Sequence, residues 1–538
     1  MVSPHDHVKA GLAPSPDPSY NPESLPVAIN FSHQLSVLSR SRPRSPLKKL
    51  LEYAVKPDMI SLAGGLPHPS LFPFHSLSVD VYGAPFGKDS VTAPGSNESH
   101  QTIQVLKDSA SDPSLAVKLQ YMGAKVDTYL LQWLYSLSAA LYQPAYKDFE
   151  VLLHVGNTDA WGKVVQLVCN PGEYILVEEH IYPSSQAFWV PMDCKAAPIA
   201  VDKNGIIPSD LGHILDNWDK NHPNVPKPRL LYTVPIGQNP TGSIMPGSRK
   251  KEIYEICVRH DVIICEDDPY FFLQMGPCNV EKESAVEDPL PEFEPSFLKY
   301  DYQGRVIRLD SFSKISAPGH RLGWFVCNPL FSERLQRAIE VTSQAPCGWS
   351  QAIMSQLLKE WGPVGWAQWI DTMRRHYRMR RDWICKSLSD HFDLIPASQA
   401  FPEGGVQGFT AFTKGSSNKK PIFSFVPPEG GMFLWLDVHL GGSSIFNELS
   451  LKAQSETDPK HQFDVELETI DAIFTLLAQS NILISPGDYF VPHEGPNAPR
   501  KTHTHPLGHI RLAFGTATRE MMNEGVNRLE KVLSSLWQ

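Results

Sequence analysis

No stretch of this 538-residue chain approaches the ~20 consecutive apolar residues that a membrane helix needs, so a bilayer-spanning helix is not expected. Cysteine is scarce. The eight thiols (Cys169, Cys194, Cys257, Cys265, Cys278, Cys327, Cys347, Cys385) form no Cys-x-x-Cys pair, and several fall within apolar runs. That excludes a disulfide framework and reads as reduced core thiols in a reducing, cytoplasmic compartment. Basic charge is also in deficit: 48 Lys and Arg against 58 Asp and Glu leave a net charge of −10, which provides no field for gathering nucleic acid or an anionic membrane. The N-terminal stretch lacks both an apolar targeting core and an Arg-rich amphipathic pattern. With Asp6, Asp17 and five prolines before Leu25, residues 1–30 read as a disordered tail. No internal repeat is found, and the length suits a globular enzyme of a few domains of about 150 residues each.

What the middle third does contain is an alternation of short apolar runs, turn signals and helical patterns. The runs at 151–155, 174–178, 229–233, 261–265, 305–309 and 323–327 read as strands, and 249–259 carries Ile253, Ile256 and Cys257 at helical spacing. This predicts an α/β fold with a mostly parallel central sheet wrapped by helices, whose ligands lie beyond the carboxyl ends of the strands. Residues 276–296, 400–421 and 495–508 interrupt the pattern and read as surface loops or insertions. His503, His505 and His509 in and beside the last one lack ligand spacing or a nearby thiol, so no metal site is expected.

The predicted strand ends carry a consistent chemistry. Gly156-Asn157-Thr158 opens a helix whose free N–H groups suit a phosphate. Tyr182 places a ring that can stack on a planar group. Asn239-Pro240-Thr241-Gly242 is a rigid turn presenting an amide. Glu266-Asp267-Asp268 follows a very apolar run, where carboxylates are costly unless they meet a cation such as a protonated pyridine nitrogen. Arg308-Leu309-Asp310-Ser311-Phe312-Ser313-Lys314 delivers two hydroxyls and an amine to a turn, with Arg321 close behind. Phosphate donors, a stacking ring, an amide, a carboxylate and an amine for an aldehyde together describe pyridoxal phosphate.

Further motifs carry a family likeness: Ile60-Ser61-Leu62-Ala63-Gly64-Gly65-Leu66-Pro67, Phe72-Pro73-Phe74, Asn239-Pro240-Thr241-Gly242, Glu266-Asp267-Asp268-Pro269-Tyr270, Asp310-Ser311-Phe312-Ser313-Lys314, Gly430-Gly431-Met432-Phe433-Leu434-Trp435 and Ile510-Arg511-Leu512-Ala513-Phe514. From about Leu50 to the C-terminus the chain resembles fold-type I pyridoxal-phosphate-dependent aminotransferases, and among them the aromatic and kynurenine–2-aminoadipate aminotransferase group. The resemblance implies a large cofactor domain over 111–345. It also implies a smaller α+β domain built from N- and C-terminal segments, 31–110 (with a substrate lid) and 346–538.

It implies, too, that Lys314 holds the cofactor as a Schiff base and shuttles protons, that Asp267 pairs with the ring nitrogen, and that Asn239 and Tyr270 bond the phenolic oxygen while Tyr182 covers the ring. Phosphate would be held by Asn157, Thr158, Ser311, Ser313 and Arg321, with Tyr121 lent across a homodimer interface. Arg511 would take the substrate α-carboxylate, with Gly64 and Gly65 closing over it. The cation that meets a distal substrate group would come from Lys48, or from Arg40, Arg42 or Arg44.

The expected activity is ping-pong transfer of an amino group from an L-amino acid, aromatic by family likeness, to a 2-oxo acid such as 2-oxoglutarate. The rivals are a 2-aminoadipate- or kynurenine-preferring enzyme, or elimination or cyclisation at the same cofactor; Arg511 counts against decarboxylation. A cofactor-sensing transcription regulator would need a winged-helix segment ahead of this fold, where the chain has a short Pro-rich one.

Overall fold

The computed structural model describes residue 6 and residues 21–46, 58–60, 62–63, 65–84, 100–109, 114–121, 125, 128–415, 420–455, 463–495 and 505–538. Residues 21–30, expected within the tail, are tied down: Ala28 N donates to Asp148 Oδ1 (2.8 Å) and Ile29 N to Gln303 O (2.9 Å). Residues 31–42, expected in the small domain, also belong to the large one. Phe31 and Leu35 are buried there with Trp161 and Phe331, and they lead into helix α1 (Val37–Ser41). A hairpin follows, β1 (Ser76–Tyr82) and β2 (His100–Leu106), paired antiparallel.

The central sheet holds seven strands: β3 (Glu150–His154), β4 (Tyr174–Glu178), β5 (Lys195–Ile199), β8 (Leu230–Thr233), β9 (Ile263–Asp267), β10 (Val306–Ser311) and β11 (Gly323–Cys327); a two-residue-per-strand hairpin, β6 (Val201–Asp202) and β7 (Gly205–Ile206), intervenes. Spatial order is β3-β11-β10-β9-β8-β4-β5, with β5, β4, β8, β9 and β10 parallel and β11 antiparallel to both neighbours. The strands are continuous apolar runs because both faces are covered. Leu152, Ile175, Leu230, Ile263 and Ile307 pack with Trp161 and Val164 of helix α2 (Asn157–Val168) on one face. Leu153, Leu176, Leu231, Ile264 and Val306 pack with Trp133 and Trp366 on the other.

Helix α3 (Gly348–His391) is shared between domains, so a boundary at 346 does not hold. Gly362, at φ 61°, interrupts it ahead of Pro363. Met354, Leu358, Trp366 and Ile370 join the large-domain core, whereas Ile384, Cys385 and Leu388 join the small one. The small-domain sheet is wholly antiparallel in the order β12 (Phe392–Pro396), β13 (Phe409–Thr413), β14 (Phe423–Phe425), β15 (Phe433–His439), β17 (Leu507–Ala513), β16 (Ser485–Pro486). Strand β13 therefore lies inside 400–421, which was expected to be a loop. Residues 276–296 do contain no helix or strand. They are latched to α3 by arginines that donate to loop carbonyls: Arg374 to Pro291 (2.5 Å), Arg378 to Ala285 (2.9 Å) and Pro289 (3.2 Å), and Arg381 to Pro277 (3.2 Å) and Gly276.

Candidate active site

Lateral register brings the expected strand ends to one edge. Ser311 pairs with Gly323, Gly323 with His154, Leu309 with Asp267, and Thr233 with Glu266. Because β11 runs opposite to the others, its beginning lies at this edge, and that is what delivers Arg321 to the site.

Arg321 crosses the start of helix α2. A Cβ at Gly156, the helix N-cap with φ 113°, would fall 2.0 Å from Arg321 Nη2, so the close approach depends on glycine. Arg321 Nη1 donates to Ser313 Oγ (3.3 Å) and Pro318 O (3.1 Å), and Ser311 Oγ donates to Ser313 Oγ (2.9 Å). A helix N-terminus, a guanidinium and two hydroxyls thus converge as an anion cradle. Thr158 stands exposed in the first helical turn. His154 is buried beneath: its Nδ1 accepts from Gly156 N (3.0 Å), and burial, with Lys163 and Arg321 nearby, pushes its pKa down to about 3. Burial, then Arg321, also lowers the Lys314 amine.

The three consecutive acids part company by strand periodicity. Glu266 and Asp268 turn to one face and meet Arg308 (3.1 and 2.9 Å), which Asp310 also meets (2.8 Å). The Arg308 guanidinium is fully buried and lies over the Tyr142 ring (3.9 Å) and the Phe271 ring (4.7 Å). Three carboxylates on one cation leave excess negative charge. Burial and this crowding push Asp268 up to about 7 and Asp310 up to about 6.

Asp267 alone faces the other way, buried, accepting from Asn157 Nδ2 (2.6 Å) and Tyr232 OH (2.8 Å). Burial raises its pKa while those neutral donors pull against the rise. The Asn157 amide, expected on phosphate, is thereby spent on Asp267, since a buried carboxylate is the stronger acceptor; only the Asn157 backbone remains at the cradle. Glu266 and Asp268, by contrast, are taken up by Arg308 on the opposite face.

Arg511, on β17, lies between the rings of Phe433 (4.5 Å) and Phe490 (4.7 Å). It donates through Nη1 to Asn239 Oδ1 (2.7 Å) and through Nη2 to Ser485 Oγ (3.1 Å), while its buried Nε has no acceptor among the described residues. A guanidinium only donates, so Asn239 must turn its oxygen to Arg511, which leaves its NH2 to donate elsewhere. Tyr270 is buried edge-on to Phe433 (5.7 Å), and Tyr182 is 38 % exposed.

Other expectations fare differently. Gly64 and Lys48 lie outside the described residues, and a Cβ at Gly65 would meet nothing of the chain within 4 Å among the described residues. Helix α1 with Arg40 packs at the far end of α2, where Ser36 N donates to Leu167 O (2.8 Å). That end lies about 15 Å along the helix from Asn157 at 1.5 Å per residue. Tyr121 is 68 % exposed, and its hydroxyl bonds none of the described residues. His509 bonds Asp437 (3.0 Å) and stacks on Trp435, and His503 lies outside the described residues.

Sequence reasoning missed Tyr232, Ser485, Phe490 and Trp369, whose Nε1 donates to the carbonyl of Ile315 (2.7 Å), next to Lys314. Tyr232 was readable in principle, since it shares a face with Asp267 on the adjoining strand. Ser485 and Phe490 come from a segment without periodicity.

The side chains present fit pyridoxal phosphate: a cradle too tight for a Cβ, an amine with lowered basicity, and a buried carboxylate whose protein partners are all neutral. Sheet order and site together define a fold-type I α/β transferase. The chain belongs to the aminotransferase class I and II family, whose family model matches residues 97–529. It is 35 % identical over 416 residues to an aromatic amino acid aminotransferase of Schizosaccharomyces pombe (76 % of this chain, 82 % of that one). It is 29 % identical over 460 residues to the mitochondrial kynurenine/alpha-aminoadipate aminotransferase of Rattus norvegicus (83 % and 94 %). The crystal structure of aminotransferase Aro8 from Candida albicans superposes with a TM-score of 0.80 at 30 % identity, covering 95 % of this chain and 99 % of that one.

Proposed function

We propose that this aminotransferase binds pyridoxal phosphate at the Lys314 site and moves the amino group of an aromatic L-amino acid to a 2-oxo acid such as 2-oxoglutarate in two half-reactions. Asp267 carries the reading. A buried carboxylate held only by neutral donors leaves its charge for a cation from outside the chain, and a protonated ring nitrogen supplies one. When bound, the cofactor provides an electron sink for the charge released as the substrate α-C–H bond breaks.

The chain's own residues do the rest. Arg321, Ser311, Ser313 and the start of α2 hold the phosphate. The Asn239 NH2 and the Tyr270 hydroxyl meet the ring oxygen, and Tyr182 covers the ring. The Arg511 fork pairs with the α-carboxylate and so fixes which substrate bond faces Lys314. The Lys314 amine, made less basic by burial and then by Arg321, takes and returns the α-proton. Phe433, Phe490, Tyr182 and Tyr270 make the surroundings of Arg511 aromatic, which, with the naming of the relatives, supports an aromatic donor.

The enzyme acts as a homodimer in this reading. Ile60, Leu62, Leu66 and Leu71 are 83, 96, 57 and 77 % exposed beside Tyr121, an apolar face that a second copy would cover, with Tyr121 reaching the partner's phosphate. A cytoplasmic location is supported by eight free thiols, six of them buried. Among the described residues no helix is long and apolar enough to cross a membrane.

The test is visible absorbance of the cofactor-loaded protein on adding phenylalanine, tyrosine, tryptophan, kynurenine or 2-aminoadipate without oxo acid. Stoichiometric bleaching shows half-transamination and ranks the donors, with Lys314→Ala as control. A persisting band with catalytic consumption of the amino acid would overturn transamination. A wild-type protein with no band after pyridoxal phosphate is supplied would overturn the cofactor reading.

A further inference from the structure

Glu178 closes strand β4 and is 1 % exposed, yet it makes no ion pair among the described residues. Its oxygens accept from Thr233 Oγ1 (2.8 Å), Gln238 Nε2 (3.0 Å) and Val234 N (3.4 Å). Gln238 is saturated in turn. Its Nε2 also donates to His180 O (2.6 Å), and its Oε1 accepts from Thr241 N and Thr241 Oγ1 (2.8 Å each). Its backbone closes the same loop, donating to Ser243 O (3.1 Å) and accepting from Gly242 N (2.7 Å).

One carboxylate therefore ties together the end of β4, which leads to Tyr182, the end of β8, and the turn that carries Asn239. On its outer side the turn is packed too tightly to adjust: a Cβ at Gly237 would fall 2.5 Å from Gly431 Cα. A buried acid with neutral donors is a costly way to fill space, since an apolar group of the same shape would do so without the desolvation penalty. Burial pushes its pKa up to about 7, in keeping with that cost.

We propose that Glu178 is a positioning residue for the cofactor ring, acting through Gln238 to fix the Asn239 amide against the ring oxygen. The proposal rests on the pyridoxal phosphate reading of the site. It is tested by equilibrating full-length holoenzyme against falling pyridoxal phosphate concentrations and following the visible band, for wild type, Glu178→Leu, Glu178→Gln, Asn239→Ala and the double variant Glu178→Leu/Asn239→Ala.

Glu178→Leu is expected to weaken cofactor retention about tenfold, the worth of one buried hydrogen bond. The double variant should be no weaker than the weaker single one, because both changes remove the same contact. Glu178→Gln should restore retention, since the Thr233 hydroxyl can reverse and accept from the new amide while Gln238 keeps its acceptor. Wild-type retention in Glu178→Leu, or losses that multiply in the double variant, would overturn the proposal. If Glu178→Leu does not fold, Gln238→Leu with and without Asn239→Ala runs the same cycle and is read the same way. A wild-type chain that shows no band at any cofactor concentration would fail the underlying reading first and take this proposal with it.

Discussion

In the proposed reading Asp267 and Arg511 divide the work of the site between charge and shape, and each can be isolated by one substitution. Asp267→Asn keeps the Tyr232 bond and removes the buried negative charge. Turnover is expected to fall by at least about 100-fold, the scale of a lost proton-transfer or charge-stabilising contribution, while cofactor retention falls far less. Steady-state kinetics at saturating pyridoxal phosphate, beside a binding titration, separates the two. Arg511→Lys keeps the charge and loses the fork. KM for the amino donor should rise roughly 10- to 100-fold, the worth of a charge-assisted bond, with a smaller change in kcat. Both positions were singled out by motifs in the chain as written, and the structure shows each buried or half-buried with named partners. Asn157 was legible only by type, because nothing in a linear motif says whether an amide at a helix start turns to a phosphate or to a carboxylate three strands along the sheet.

At the scale of elements, the alternation of side chains along β9 does what the motif could not show. The expected strand at 261–265 is observed at Ile263–Asp267, and this shift puts Glu266 and Asp267 on opposite faces. The cause lies on β10, where Arg308 compensates one face and makes buried acids tolerable within a strand. Arg308→Met would leave Glu266, Asp268 and Asp310 without their cation. It should cost about 3–5 kcal/mol in denaturant unfolding at pH 8. Burial already holds Asp268 near 7 and Asp310 near 6, so protonation of these two relieves the loss and the deficit should shrink as pH falls through 7 and 6. The turn between β8 and its neighbouring helix allows a second prediction. Gly237→Ala, with φ at 56° and backbone 2.5 Å from the added carbon, should cost roughly 1–3 kcal/mol and loosen cofactor binding as the turn moves away from Gly431. Calorimetry with and without cofactor distinguishes the two effects.

For the molecule as a whole, pH acts in two opposing directions. His154 is buried neutral with its pKa near 3 against an ordinary value of 6.5, so its share of stability is complete above pH 6.5 and is lost as pH falls toward 3. The raised acids Glu178, Asp268 and Asp310 do the reverse, favouring the fold at low pH and giving that up as pH rises toward 7. His154→Gln, which can still accept from Gly156, should flatten the acid side of a stability–pH curve measured by urea midpoints. The doubly wound sheet and its ligand edge were legible because apolar runs and turn residues repeat at short range. The domain boundaries were not, because α3 contributes to two cores and residues 31–42 return to the large domain through a few contacts that carry no pattern. The loop at 276–296 makes the same point. Its Pro-rich, acidic letters look like a linker that a protease would cut, yet its carbonyls are occupied by arginines from a helix that spans both domains. An extended backbone held by donors is a poor fit to a protease cleft, so limited digestion should spare this stretch, and the two domains should survive as a single resistant fragment rather than separate there.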